Sequence, residues 1–341
     1  MKKQMSMMWL MCGLLVTACS SDDESTNEQP VDIPETVEIS LGMSGDVIAT
    51  SDSPITRASE TKQKIYGINV YYREGNDGYY NHYAYGLFDN VADMKISLIS
   101  KYNYKFECTI VQDDADELYY WTSGDVRYYS YPFIYDYGYD IALENKFIVS
   151  TTNSTYLNRI QSGFTYVKSG NSYNRKNYPA TDRLYGELSG YVPQTNGTAT
   201  IPMKRTAFGA KFVINPPADG TLNVRCGEFF NVDVAAGGEA NTIAESLYAF
   251  SDVYSCWQQT EDYTQNFTVN LTWKRSNGAT QTFNQNVTMR RNVMTTVNVN
   301  VNGSTNDSTI GFTEDSSPTA GSTVNINFNG GSEDDNNVNP N

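Results

Sequence analysis

The chain has 341 residues, with 39 acidic against 24 basic side chains, one histidine and a formal charge of −15 at neutral pH. So negative a balance repels DNA, RNA and anionic lipid headgroups, which argues against a nucleic-acid partner. The length suffices for two domains of roughly 100 to 200 residues each, and the aromatic content of 13%, with 26 tyrosines, gives them core material.

Met1, Lys2 and Lys3 precede an apolar stretch from Met7 to Val16, the charged start and short greasy core of a signal peptide. The stretch is too short to span a bilayer, whose hydrocarbon core takes about 20 helical residues. It closes on Val16-Thr17-Ala18-Cys19, which has the form of a lipobox, where small residues let a peptidase reach the bond before a cysteine that becomes diacylated. Residues 1–18 are therefore expected to be removed. Acyl chains (palmitate) on Cys19 would then hold the mature protein at a membrane surface without a transmembrane helix. The alternative is an ordinary secretory signal with a chance cysteine. Losing Lys2 and Lys3 takes the formal charge from −15 to −17.

Residues 19–34 are mostly polar and are expected to form a solvated tether. Their acidic start, Asp22-Asp23-Glu24, resembles the export signal of surface lipoproteins in Bacteroidetes, which implies the outer face of the outer membrane; read as a plain spacer, it would leave the protein on the periplasmic side.

The first predicted strand is Thr36 to Met43, where Val37, Ile39, Leu41 and Met43 alternate with Thr36, Glu38, Ser40 and Gly42. A polar stretch from Ser51 to Thr61 follows. It contains Arg57-Ala58 and reads as an accessible loop where a protease cuts. Tyr66, Ile68, Val70 and Tyr72 then share one face of a strand, Glu74 to Gly78 supply a turn, and Tyr79 to Phe88 return as the partner of a hairpin. Tyr102, Tyr104, Phe106, Cys108 and Ile110 alternate in the same way up to the acidic cluster Asp113 to Glu117. From Tyr129 to Tyr139 aromatic residues recur at every second position, and Pro132 within them predicts an edge strand or an irregular loop.

A short helix is predicted around Thr155 to Ile160, and a domain boundary near Gly197. The second block opens with Ile201-Pro202-Met203-Lys204-Arg205 and the strand carrying Ala210, Phe212 and Ile214. Ile243, Leu247 and Phe250 recur at helical spacing and predict a helix over Asn241 to Phe250. Phe267 to Trp273 and Val297 to Val301 alternate as strands. After polar stretches from Gly303 to Ser308 and Glu314 to Ser322, Val324, Ile326 and Phe328 form a last alternating run with no evident hairpin partner.

Short strands between Gly, Asn and Asp turns, with few helices, predict an all-β chain of two tandem antiparallel sandwiches, residues 35–197 and 198–302, followed by a polar tail, 303–341. A detached strand at each end suggests strand complementation. In that arrangement a released first strand leaves an apolar groove for another molecule's extended segment, and head-to-tail contacts of this kind propagate. The simpler alternative is that Val37 to Met43 is an ordinary edge strand. Apart from Cys19, the mature chain keeps Cys108, Cys226 and Cys256, too few for a disulfide framework; Cys226 and Cys256 are candidates for a bridge in an oxidising compartment, and Cys108 reads as a core residue.

The lipobox ending in Cys19, the alternating strand followed by Thr56-Arg57-Ala58, the Met203-Lys204-Arg205 turn into a strand, and Arg291-Asn292 before the last domain strand together resemble the Bacteroidales fimbrillins, the subunits of type V pili. The resemblance implies two transthyretin-like sandwiches and a lipoprotein precursor. It also implies an arginine-specific protease that cuts after Arg57, and other pilus subunits as partners through strand exchange. Anchor subunits of that family keep their N-terminus and lipid. The polar tail after Asn302 departs from the family's compact ending.

No phosphate-binding glycine loop, serine-hydrolase elbow or zinc-ligand spacing occurs, so neither catalysis nor a cofactor is expected. The lone His82 reads as a surface or packing residue. Asp113 to Glu117, and Asp136 with Asp140, do not follow calcium-loop spacing and read as solvated turns. The alternative function is a monomeric surface lipoprotein that binds a glycan or host ligand through Tyr129, Tyr131, Tyr135 and Tyr137, rings that stack well on sugars.

Overall fold

The computed structural model describes residues 35–46, 62–134, 139–150, 156–259, 263–302 and 322–329, the last of these by its backbone. The lipobox with Cys19, the tether, Arg57-Ala58, and Tyr135 with Tyr137 lie outside the described residues.

The strands of the first half are β1 (Thr36–Gly45), β2 (Lys64–Glu74), β3 (Asn81–Phe88), β4 (Lys95–Ile99), β5 (Tyr102–Asp113), β6 (Tyr120–Ser123), β7 (Val126–Tyr129), β8 (Ile141–Ala142), β9 (Phe147–Val149), β10 (Thr165–Ser169), β11 (Ser172–Lys176), β12 (Thr181–Tyr191) and β13 (Thr198–Arg205). Eight of them form one sheet in the order β4-β1-β13-β12-β5-β2-β3-β9. The predicted hairpin is β2 with β3, and β5 lies on its other side.

One face of this sheet closes on itself. Val37, Ile39 and Leu41 of β1, Ile96 and Leu98 of β4, Ile68 and Val70 of β2, Phe106 and Cys108 of β5, and Ala199, Ile201 and Met203 of β13 share a single core. A twisted eight-stranded sheet curls enough for its two ends to face each other, and Tyr83 ties the fold shut by donating from its hydroxyl to Ser97 O at 3.0 Å. The opposite face, with Ile65, Tyr85, Val111 and Tyr185, is covered by Leu118, Tyr129, Phe133, Leu157 and Ile160 from the long excursion between β5 and β12.

The second half holds β14 (Ala207–Ile214), β15 (Thr221–Cys226), β16 (Phe230–Ala235), β17 (Thr242–Ala249), the helix α1 (Val253–Gln258), β18 (Thr264–Lys274), β19 (Thr280–Arg290), β20 (Met294–Asn302) and β21 (Ser322–Asn329). Two four-stranded sheets, β17-β14-β20-β21 and β16-β15-β18-β19, face each other across Phe208, Phe212, Val297 and Val299 on one side and Val224, Val269, Leu271 and Trp273 on the other. This is a sandwich filled by the inward half of each alternation.

Four expectations change. The boundary moves past Gly197, because β13 pairs with β1 and β12 and places Ala199, Ile201 and Met203 in the first core; the second sandwich starts with β14. The sheets are mixed: β1 runs parallel to β13, and β14 and β21 run parallel to β20. The segment 241–250 is not a helix but the strand β17, paired with β14 over eight residues. Its inward set includes Ala244 and Ser246 beside Tyr248, so small and polar members hid the period of two. Ile243, whose spacing suggested a helix, is 58% exposed. Among the described residues the α-helix is α1, capped by Asp252, whose side chain accepts from Ser255 N–H at 2.9 Å; residues 156–160 are not helical. Of the two alternatives at Pro132, edge strand or irregular loop, the structure has the loop: Tyr131 and Phe133 lie in an irregular buried segment with a cis Tyr131-Pro132 bond.

Candidate functional site: the slot of the first strand

β1 is an interior strand, not an edge. Its first half, Thr36 to Ser40, pairs antiparallel with β4, and its second half, Ser40 to Gly45, pairs parallel with β13. Each half is hydrogen-bonded along one side only, so β1 bridges two neighbours that do not pair with each other. Through Ser40 N–H to Gly197 O at 3.1 Å and Leu41 N–H to Met94 O at 2.9 Å the bridge continues at its centre. Among the described residues β4 has no other sheet partner. Ile39 and Leu41 are 1% and 4% exposed, Val37 is at the margin of burial, and Met43 is half-buried; Glu38 on the other face is open to water. Ile96 and Leu98 of β4 and Ala199 and Ile201 of β13, the residues opposite them on the neighbouring strands, flank them in the same core.

The strand stops at Gly45, which has φ +80° and where a Cβ would lie 2.5 Å from Met203 O, so only glycine fits that turn. Asp46 follows. Its N–H donates to Met203 O at 3.0 Å, and its Oδ2 accepts from Arg205 N–H and from Arg291 Nη1, both at 2.8 Å. Arg205 in turn makes a two-pronged contact with Asp182, Nε to Oδ1 at 2.9 Å and Nη2 to Oδ2 at 3.0 Å, and donates from Nη1 to Asn292 Oδ1 at 2.7 Å. Arg205, Asp182 and Arg291 are all buried. Arg291 reaches Arg205 O at 3.3 Å as well, but its Nε has no acceptor among the described residues. A guanidinium with five donors in a rigid fork is therefore under-supplied with acceptors, and Asp46 is its carboxylate. The two sequence features noted as Met203-Lys204-Arg205 and Arg291-Asn292 thus meet at the end of β1. Asp46 itself carried no signal in the sequence.

The tail strand β21, with Val324, Ile326 and Phe328, lies parallel to β20 at the outer edge of the second sandwich, in register from Thr295↔Ser322 to Asn302↔Asn329.

The tyrosine-rich region divides differently from its sequence pattern. Tyr129 and Tyr131 are 2% and 8% exposed and pack inward. The accessible aromatic surface is a cavity of about 310 Å³ that Tyr131 still lines, together with Tyr119, Trp121, Asp140, Tyr166 and Tyr173 among others. Trp121, 42% exposed, stacks on Tyr128 with centroids 4.4 Å apart and planes 10° from parallel, and donates from Nε1 to Asp140 Oδ2 at 2.5 Å. Tyr166 stacks on Tyr173 at 4.4 Å. Residues from β6, β10 and β11 converge here, which no single stretch of sequence displays.

The remaining polar features are structural. Asp114 pairs with Lys62 and accepts from Leu247 N–H at 2.7 Å, Asp116 holds Lys176 and Ala180 N–H, and Glu117 holds Lys168 at 2.5 Å. His82 stacks on Tyr156 at 4.5 Å with Nδ1 3.0 Å from Ser150 O, and burial lowers its pKa. Cys108, Cys226 and Cys256 are buried free thiols, and burial pushes the Cys226 and Cys256 thiols up to about 12. No group of metal-binding side chains occurs among the described residues.

No family model and no curated protein matches the chain. Among solved structures it is similar to a candidate cell adhesion protein from Bacteroides eggerthii, at 10% identity over 78% of this chain and 86% of that one with a TM-score of 0.33. It is also similar to the fimbrial anchor protein Mfa2 from Porphyromonas gingivalis, at 10% identity over 74% and 82% with a TM-score of 0.28, and to the tip fimbrial protein Mfa3 of the same organism, at 7% identity over 73% and 81% with a TM-score of 0.23. Likenesses this distant fix no residue correspondence.

Proposed function

We propose that this chain is a structural subunit of a cell-surface fimbria, lipid-anchored through Cys19 as a precursor and assembled when its first strand is replaced by a strand from another subunit. The observation that carries this reading is the seat of β1: an apolar strand in the interior of a sheet, bridging β4 and β13, with the expected protease site at Arg57 lying C-terminal to it. A cut there would detach β1 from the body while leaving every other strand of the sheet in one chain. The vacated trough, flanked by Ile96 and Leu98 on one side and Ala199 and Ile201 on the other, would then present unpaired backbone on both β4 and β13, which a new strand satisfies.

The test is to trim the purified chain with an arginine-specific protease and follow it by electron microscopy and by denaturing gels without boiling. Filaments and a ladder of denaturant-resistant species are expected. Trimmed protein that stays monomeric with β1 still bound overturns the proposal.

A second reading is favoured by the aromatic cleft. Flat faces of Trp121, Tyr166 and Tyr173 around the carboxylate of Asp140 suit a neutral saccharide, whose ring stacks on the aromatics while vicinal hydroxyls donate to the acid. Screening the chain and its Trp121→Ala variant against immobilised glycans tests this: binding lost in the variant supports it, and binding by neither excludes a glycan role for the cleft.

A further inference from the structure

We infer that Arg291 selects the strand that replaces β1, by requiring a carboxylate just beyond that strand's last apolar residues, and that the acidic run Glu333-Asp334-Asp335 of a second copy supplies it. The inference rests on the strand-replacement reading and adds to it the chemistry of the partner.

Two features at the end of the slot set the requirement. The first is the turn at Gly45, whose φ of +80° and 2.5 Å approach to Met203 O demand a glycine. The second is Arg291, buried, with Nε unpaired and Nη1 held by Asp46 Oδ2 at 2.8 Å. Asp46 lies on the segment that a cut after Arg57 detaches. With it gone, Arg291 loses its only carboxylate among the described residues, and Arg205 N–H loses the same acceptor. The Arg205 guanidinium keeps Asp182 and Asn292, so the uncompensated charge belongs to Arg291 alone. An incoming strand without an acid would bury that cation against an apolar or amide end, and an unpaired buried charge is strongly unfavourable. A strand with an acid restores a charge-assisted hydrogen bond.

The tail of this chain has both features in the required order. Val324, Ile326 and Phe328 alternate with asparagines and are followed by Gly330-Gly331-Ser332 and then Glu333-Asp334-Asp335. With Gly330 at the position of Gly45, Val324, Ile326 and Phe328 take the positions of Ile39, Leu41 and Met43. Gly331 and Ser332 then give the slack for an acid to turn back to Arg291. Asn325, Asn327 and Asn329 fall on the outward positions held in β1 by Ser40, Gly42 and Ser44, and Thr323 on that of Glu38.

The experiment uses the full chain, trimmed after Arg57, as acceptor and labelled peptides spanning residues 322–335 as donors. The wild-type peptide is expected to bind roughly ten- to a hundredfold more tightly than its E333Q/D334N/D335N counterpart, the range of a charge-assisted hydrogen bond to a buried group. On an Arg291→Met acceptor, checked for folding by its circular dichroism, the two peptides are expected to bind equally. A peptide of residues 36–46 and its D46N form give the same comparison on wild-type acceptor and need no variant protein. Equal affinity of charged and neutral peptides for wild-type acceptor overturns the carboxylate requirement and leaves strand replacement standing. Binding of the 36–46 peptide without any binding of the 322–335 peptide overturns the tail as donor. Failure of both peptides to bind removes the strand-replacement reading and this inference with it.

Discussion

Arg183 shows how much one side chain fixes. It is wholly buried on β12 beside β5, with no carboxylate among its hydrogen-bond partners in the described residues. Nη2 donates to Ile160 O at 2.7 Å, Nη1 to Ser162 O, and Nε to Thr109 Oγ1 at 3.2 Å, and burial pulls its pKa down to about 9. These bonds pin residues 160–163 to the sheet. Arg183→Ala leaves those carbonyls without donors and is expected to cost about 3 kcal/mol, measured by urea unfolding. Asp113 gives a pH signature. Burial raises its carboxyl to about 6, against the lowering effect of Leu118 N–H, which donates to Oδ1 at 2.9 Å. An unfolded aspartate titrates near 3.9, so from about pH 4 to 6 the folded chain holds the proton that the unfolded chain has lost. Stability from this group therefore falls as pH rises through that window and is level above it. Urea midpoints at pH 4.5 and 6.5 test this, and Asp113→Asn is expected to remove that part of the slope.

At the scale of elements, β1 is the strand on which the precursor and the assembled form differ in the proposed assembly. In the untrimmed chain Ile39→Ala opens a cavity at a position 1% exposed and is expected to cost about 2 to 4 kcal/mol. If β1 is replaced in the assembled form, the same substitution leaves the heat resistance of the polymer unchanged, because the altered residue has departed. A polymer weakened as much as the precursor would show that β1 is retained. Gly45→Ala acts through backbone geometry, at φ +80° with Met203 O 2.5 Å from the new Cβ. It is expected to loosen the end of β1 and to release the strand faster after trimming, followed by fluorescence of a label on the detached segment.

At the scale of the whole molecule, the two halves from Glu35 onward are joined by more than a linker. β13, entering the second half, belongs to the first sheet. Val253 of α1 and Tyr185 of β12 share a core, and Tyr185 meets Trp257 edge-on at 5.4 Å. Asp114 accepts from Leu247 N–H of β17, and Arg205 links Asp182 to Asn292. Such sharing predicts a single cooperative unfolding transition in calorimetry of the untrimmed chain; two separated transitions would show that the sandwiches unfold independently.

Alternation by itself determined that the chain is all-β, and where β1, the β2–β3 hairpin, β5, β18 and β20 run, because a strand with one buried face repeats with period two whatever its neighbours are. The lipobox form of Val16-Thr17-Ala18-Cys19 and the net charge of −15 were legible in the same way, because they are local or additive properties. The neighbours of each strand were decided only in three dimensions. That β1 lies inside a sheet and not at its edge, that β13 closes the first sheet and does not open the second, and that Ala244, Ser246 and Tyr248 form a buried face are outcomes of pairing between segments far apart in the chain, and period two is blind to which partner satisfies the backbone. The meeting of Asp46, Arg205 and Arg291 has the same cause: three charges separated by up to 245 positions become a site because folding removes them from water together.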